Sequence, residues 1–136
     1  SGVSRCSSSR DWVAVVIPNI ALYDKRIVNV LTTPQANIIQ FSSGSSAGTF
    51  VTSNVKYIQI TNLDNSNWCR IRVTKASAET FDIKLDPGQS FIMCNAKESA
   101  VANGASFSAF VDATAIAAQA DTGAVDLQVI VASISL

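Results

Sequence analysis

Between Cys69 and Leu85 the chain alternates twice in succession. Cys69, Ile71 and Val73 stand against Arg70, Arg72 and Thr74, and Phe81, Ile83 and Leu85 then stand against Asp82 and Lys84. A period of two belongs to a half-buried strand, whose successive side chains leave on opposite faces, and it does not fit the 3.6-residue period of a helix. Residues 75–79 between the two runs suit a hairpin link. Such a hairpin brings Arg70 or Arg72 within reach of Asp82 on the wet face, a pairing worth at most about 1 kcal/mol. This segment commits the chain to antiparallel sheet, with Ile71, Val73, Phe81 and Ile83 on one core-facing side.

The rest of the chain is punctuated in the same way. Strand patterns fall at 12–17, 26–31, 37–41, 55–61, 68–74, 80–85, 90–94, 106–112, 114–120 and 125–134. Asp86-Pro87-Gly88 predicts a type II turn, proline presetting φ at the second position and glycine supplying the positive φ at the third. Asp64 to Asn67 and Asn103-Gly104 are further turns, and the Ser/Gly-rich stretch 42–48 is a loop of the kind that often meets partners. Helix competes only at 113–120, which is alanine-rich. That segment is short and runs into Asp121-Thr122-Gly123, read as a hairpin corner, so strand is the preferred reading. No repeat of about 20–50 residues is present, which excludes solenoids and propellers. Many short strands with turns about every 8–12 residues predict an all-β antiparallel sandwich, jelly-roll-like. With 136 residues, 48% of them hydrophobic, one core is affordable. The expected division is an extended N-terminal arm, 1–10, and a single sandwich domain, 11–136.

Charge and cysteine content narrow the function. Ten basic side chains balance ten acidic ones. That balance argues against a protein that binds nucleic acid by neutralising phosphates, and against a polybasic membrane anchor. The apolar run ending at Ile17 is far short of the roughly 20 residues of a membrane helix. The N-terminus has no apolar signal core, and a leading serine fits removal of an initiator methionine, so synthesis in a cytoplasm is expected. The three cysteines, Cys6, Cys69 and Cys94, match no metal knuckle, and histidine is absent. Neither a disulfide framework, a zinc site nor a cofactor is expected. Cys69 and Cys94 are read as small buried apolar residues in a reducing compartment.

Catalytic readings find little to use. Without histidine the commonest general base and the nucleophilic triads are lost. Asp82 with Asp86, and Asp121 with Asp126, are read as solvated strand edges and turn makers, and no nucleophile elbow or phosphate loop appears. Asp64-Asn65-Ser66-Asn67 lacks the glycine and glutamate of a calcium loop and is read as an Asx turn. Two aromatic residues, Tyr23 in a loop beside Asp24 and Trp68 after a polar loop, are the candidates for stacking on a saccharide. Otherwise they plug the ends of the sandwich. The arm is too polar to order itself, so it is expected to dock on a neighbouring subunit. There Arg5 and Arg10 would donate charge-assisted hydrogen bonds to carboxylates of the partner, and Trp12, near where the core begins, is the third residue expected to meet it.

Four segments occur in a telling order: Ile58-Gln-Ile-Thr-Asn-Leu-Asp64, Trp68-Cys-Arg-Ile-Arg-Val73, Leu85-Asp-Pro-Gly-Gln-Ser-Phe91 and Ala118-Gln-Ala-Asp-Thr-Gly-Ala-Val-Asp-Leu-Gln-Val-Ile-Val131. From Val55 onward this order resembles the small jelly-roll virion structural proteins of tailed bacteriophages. The resemblance implies a non-enzymatic capsid decoration or cement protein that docks on the phage head and stabilises it. It further implies a homotrimer, partnered by the major capsid protein or another virion protein and located in the virion, with no nucleic-acid or membrane contact. The alternative is a tail or head-fibre accessory sandwich that binds a receptor or glycan.

Overall fold

A computed structural model describes residues 19–44, 48–76, 79–98 and 110–134. It contains ten strands: β1 (Leu22–Val30), β2 (Ala36–Ser42), β3 (Phe50–Val51), β4 (Val55–Asn62), β5 (Cys69–Lys75), β6 (Thr80–Leu85), β7 (Ser90–Met93), β8 (Lys97–Glu98), β9 (Val111–Ala120) and β10 (Val125–Ser133). One 3-10 turn, Thr52–Asn54, precedes β4. One sheet has the order β1-β10-β4-β7 and the other β3-β2-β9-β5-β6, with β8 pairing on β9. All pairings are antiparallel except that of β2 with the short β3. The chain crosses between sheets from β1 to β2, β3 to β4, β4 to β5, β6 to β7, β7 to β8 and β9 to β10. That is the strand order of a jelly roll, an all-β sandwich as the alternation predicts.

The core follows from the period-two pattern. Along β10, Val125, Leu127, Val129 and Val131 are buried, while Asp126 is exposed and Gln128 and Ile130 are half-buried. They meet Ile58 and Ile60 of β4 from the same sheet and Ile71, Val73 and Ile116 of the other, in one continuous cluster. Irregularities in pairing adjust the phase. A register shift between Asn37 and Ile39 lets both Ile38 and Ile39 be buried, as an extra residue at a bulge allows. Beside it, Arg26 of β1 donates from Nη2 to the Ile38 carbonyl and bridges the two sheets at their margin.

The β5–β6 hairpin takes the expected register, with Ile71 opposite Ile83, Val73 opposite Phe81 and Arg72 opposite Asp82. Arg72 grips Asp82 bidentately, from Nε at 2.7 Å and Nη2 at 2.8 Å. Phe81 and Ile83 are only half-buried, because β6 is the last strand of its sheet and packs on one flank only. Lys75, expected in the link, is instead the last residue of β5, in phase with the core. It is buried, with Nζ 3.1 Å from Glu79. The predicted type II turn is present: Gln89 N–H donates to the Asp86 carbonyl at 3.1 Å, and Gly88 has φ +78°.

Several expectations are corrected. Segment 113–120 is strand, but it is continuous with 111–112, so pattern 114–120 and the described end of pattern 106–112 share one strand through Ala113. Its alanines are held extended by ladders to β2 on one side and β5 on the other, which override helix propensity. Asp121 to Gly123 is no hairpin corner, because β9 and β10 belong to different sheets. Tyr23 is not in a loop but is the second residue of β1. Cys94 is exposed just beyond β7, whereas Cys69 is buried as expected. The strand pattern 12–17, the arm 1–10 with Arg5 and Arg10, and Trp12 lie outside the described residues, as do Cys6, Asn103-Gly104 and most of 106–112.

The two described thiols should react differently. Burial pushes the Cys69 thiol up to about 11, so both access and thiolate fraction are low there. Alkylation of native protein at about pH 8, read by peptide mass mapping, is expected to label Cys94 and spare Cys69 until unfolding. Equal labelling of the two in native protein contradicts this packing.

Candidate functional site

Four of the six crossings between sheets, those from β1 to β2, β4 to β5, β6 to β7 and β9 to β10, lie at one end of the sandwich. The registers require it: Val30 pairs with Val125, Asn62 with Leu127, Thr61 with Ser90, and Cys69 with both Leu85 and Ala120. Segments 31–35, 63–68, 86–89 and 121–124 therefore form one loop cluster.

Asn62 knits this cluster together. It occupies a core-phase position of β4 after Ile58 and Ile60 and is fully buried. Its Nδ2 donates to the carbonyls of Asn67 and Leu85, both at 3.0 Å, and its Oδ1 accepts from Asp64 N–H at 2.9 Å. Its backbone carbonyl accepts from Gly88 N–H at 2.9 Å, and its own N–H donates to the Gln89 carbonyl at 3.0 Å. Asp64 then closes the expected Asx turn, its Oδ2 accepting from Asn67 N–H at 2.6 Å and Ser66 N–H at 2.9 Å. Those backbone donors hold its carboxyl below the usual aspartate range. Gly123 packs against Asn67 so closely that a Cβ there would sit 2.7 Å from Asn67 Nδ2. Thr122 Oγ1 donates to Asn67 Oδ1 at 3.0 Å. The loops are thus a braced surface rather than loose connections.

Beside this brace is an open cavity of about 170 Å³ lined by Thr32, Trp68, Arg70, Gln119, Ala120 and Asp121. Asp121 N–H donates to the Trp68 carbonyl at 3.1 Å and Ala120 N–H to the Leu31 carbonyl at 3.0 Å, which fixes the rim. Gln119 donates from Nε2 to the Thr32 carbonyl at 2.7 Å and accepts at Oε1 from Arg70 Nη2, also at 2.7 Å. Lys84 Nζ stands 5.2 Å from the centre of the Trp68 ring, a cation–π contact, and lies 3.3 Å from Asp86.

Of the residues singled out in the sequence, Trp68 and Asp121 line this cavity. Tyr23 does not: it pairs with Ala132 at the far end of β1, seven residues from Val30 and so roughly 23 Å away. Of the four carboxylates considered for acid–base work, three have other partners. Asp82 is held by Arg72, Asp86 by Lys84, and Asp126 accepts from Asn29 Nδ2 at 2.9 Å. Among the described residues no group of three or more histidine, cysteine or acidic side chains is placed to hold a metal ion, and no helix is long and apolar enough to cross a membrane. Sequence reasoning missed Asn62, although a polar residue in the inward phase of β4 was the available signal. It also missed Arg70, where the signal was two arginines facing one aspartate.

No family model, no curated protein and no solved structure matches this chain.

Proposed function

We propose that the chain is a non-enzymatic virion structural protein of the capsid decoration or cement type, working as an oligomer of identical copies. The motif order from Val55 onward supports the family reading. The observation that carries the assembly reading is the difference between the two outer sheet faces. On the β5–β6 side the outward residues include Arg70, Arg72, Asp82 and Lys84, an ordinary wet face. On the other sheet the outward rows are Tyr23–Ala132–Tyr57, Lys25–Ile130–Gln59–Ile92, Ile27–Gln128–Thr61–Ser90 and Asn29–Asp126. Lys25 and Asp126 are the full charges in those rows, while Tyr23, Ile27 and Ile92 are each more than half exposed.

The polar groups of this face are largely paired among themselves. Tyr57 Oη donates to Gln59 Oε1 at 2.6 Å, Gln59 Nε2 to Thr61 Oγ1 at 3.3 Å, and Thr61 shares a 2.7 Å bond with Ser90. Covering such a face strands few donors and gains apolar burial. A second copy of this chain suits it, since a face whose one cation, Lys25, is balanced by one anion, Asp126, meets its like without net repulsion. Ile27→Glu is expected to convert the oligomer to monomer by light scattering after size exclusion, with the melting of the sandwich little changed. An unchanged assembly state rejects this face as the contact between copies. The virion role is tested by antibody labelling and copy counting on purified particles of the source. Regular occupancy over the head supports decoration, and absence from the particle refutes it.

A second reading, a tail or head-fibre accessory that binds a glycan, is favoured by one observation, the cavity beside Trp68.

A further inference from the structure

We propose that the corner cavity binds an acidic monosaccharide unit, with Arg70 pairing to its carboxylate; this rests on the glycan reading and names the sugar class. Arg70 makes no ion pair among the described residues, although its charge is felt at Asp82. Asp82, the acid opposite these arginines, is taken by Arg72. Arg70 instead donates from Nη2 to two uncharged amide oxygens, Gln35 Oε1 at 2.8 Å and Gln119 Oε1 at 2.7 Å. Its Nε is buried with no hydrogen-bond partner among the described residues. The Gln119 amide cannot turn away, because its Nε2 is tied to the Thr32 carbonyl. Both Nη2 hydrogens are thus committed to the glutamines and Nε is shut away from solvent, so the guanidinium is held in place and Nη1 is the group left to meet a carboxylate.

The other walls select what carries that carboxylate. A cavity near 170 Å³ is close to the roughly 150 Å³ that admits a six-membered ring. Trp68 supplies an apolar surface for the C–H face of such a ring. Asp121 lines the same space, and a carboxylate there repels a bare anion but accepts from hydroxyls. An acidic side chain from a protein partner brings the charge without hydroxyls for Asp121. A neutral sugar brings hydroxyls and leaves Arg70 unpaired. A uronic acid brings both.

The test titrates the full-length protein with glucuronate, glucose and acetate, followed by amide chemical shifts of the corner loops. Glucuronate is expected to saturate, with glucose and acetate each weaker by about tenfold or more, the factor one charge-assisted hydrogen bond supports. Arg70→Gln should bring glucuronate down to the level of glucose, and Arg70→Lys, which keeps the charge but not the planar group that the two glutamines hold in place, should fall between. If Arg70→Gln does not fold by thermal melting, Arg70→Lys and the glucuronate-to-glucose ratio of the unaltered protein decide. Glucose binding as tightly as glucuronate overturns the acidic class and leaves the glycan reading standing. Acetate binding as tightly as glucuronate overturns the sugar and points to an acidic side chain of a protein partner. Absence of saturable binding by either sugar overturns both.

Discussion

Replacing Asn62 with aspartate is expected to lower the unfolding free energy by about 3 kcal/mol or more, although the two side chains have nearly the same shape. The amide nitrogen of Asn62 donates to two carbonyls on two different loops, those of Asn67 and Leu85. A carboxylate has nothing to donate, so both bonds become contacts between an anion and carbonyl oxygens at a fully buried position. Leaving buried acceptors unpaired costs about 1–3 kcal/mol each, and the confined charge adds to that. Asn62→Ala should cost somewhat less, since it removes the donors without burying a charge. Urea unfolding of the three proteins checks this order. An Asn62→Asp protein as stable as the unaltered one would mean that the corner loops are not braced through this side chain.

The second large effect is expected at Ile71. Its side chain is fully buried at the centre of the cluster, between Ile83 on β6 and Ala118 on β9. Ile71→Ala should cost about 3 kcal/mol or more. Phe81→Ala, on the half-open last strand, should cost about 2 kcal/mol, and Arg72→Ala under about 1 kcal/mol, because the ion pair it breaks is exposed. That pair also has a pH signature. The hydrogen bonds from Arg72 hold the Asp82 carboxyl below its usual range. Its small stabilisation is thus present above the unfolded aspartate value of about 3.9 and is lost as pH falls through the lower folded one. Chemical unfolding of each variant at neutral pH, and of Arg72→Ala also near pH 3, reads both effects. Equal losses for Ile71→Ala and Arg72→Ala would refute the assigned faces.

The faces of β5 and β6 were legible in the sequence because alternation reports directly which side chains turn inward. The type II turn was legible because proline and glycine each admit few backbone angles. What alternation cannot report is which of two sheets a strand joins. Asp121 to Gly123 reads equally well as a hairpin or as a crossing, and only the pairing of β9 with β5 and of β10 with β4 decides it. Cys94 failed for a related reason: it follows an alternating run but lies one residue past the end of β7, where the pattern no longer binds it to the core. At the candidate site Trp68 was legible as an aromatic residue after a polar loop. The cavity beside it was not, because Thr32, Arg70 and Gln119 come from segments far apart in the chain and meet only once the corners are stacked.

The placement of β10 bears on how the protein is made. β1 pairs with no strand of its sheet except β10, which lies between it and β4. On the ribosome β1 must wait, unzipped, until β10 has emerged, and the closing contacts span more than a hundred positions, from Leu22 to Ser133. Contacts of such range make for slow folding and for exposed edges in the nascent chain. A chain stopped short of Val125 would not merely lack a rim: it would have its sheet cut between β1 and β4, and is expected to aggregate.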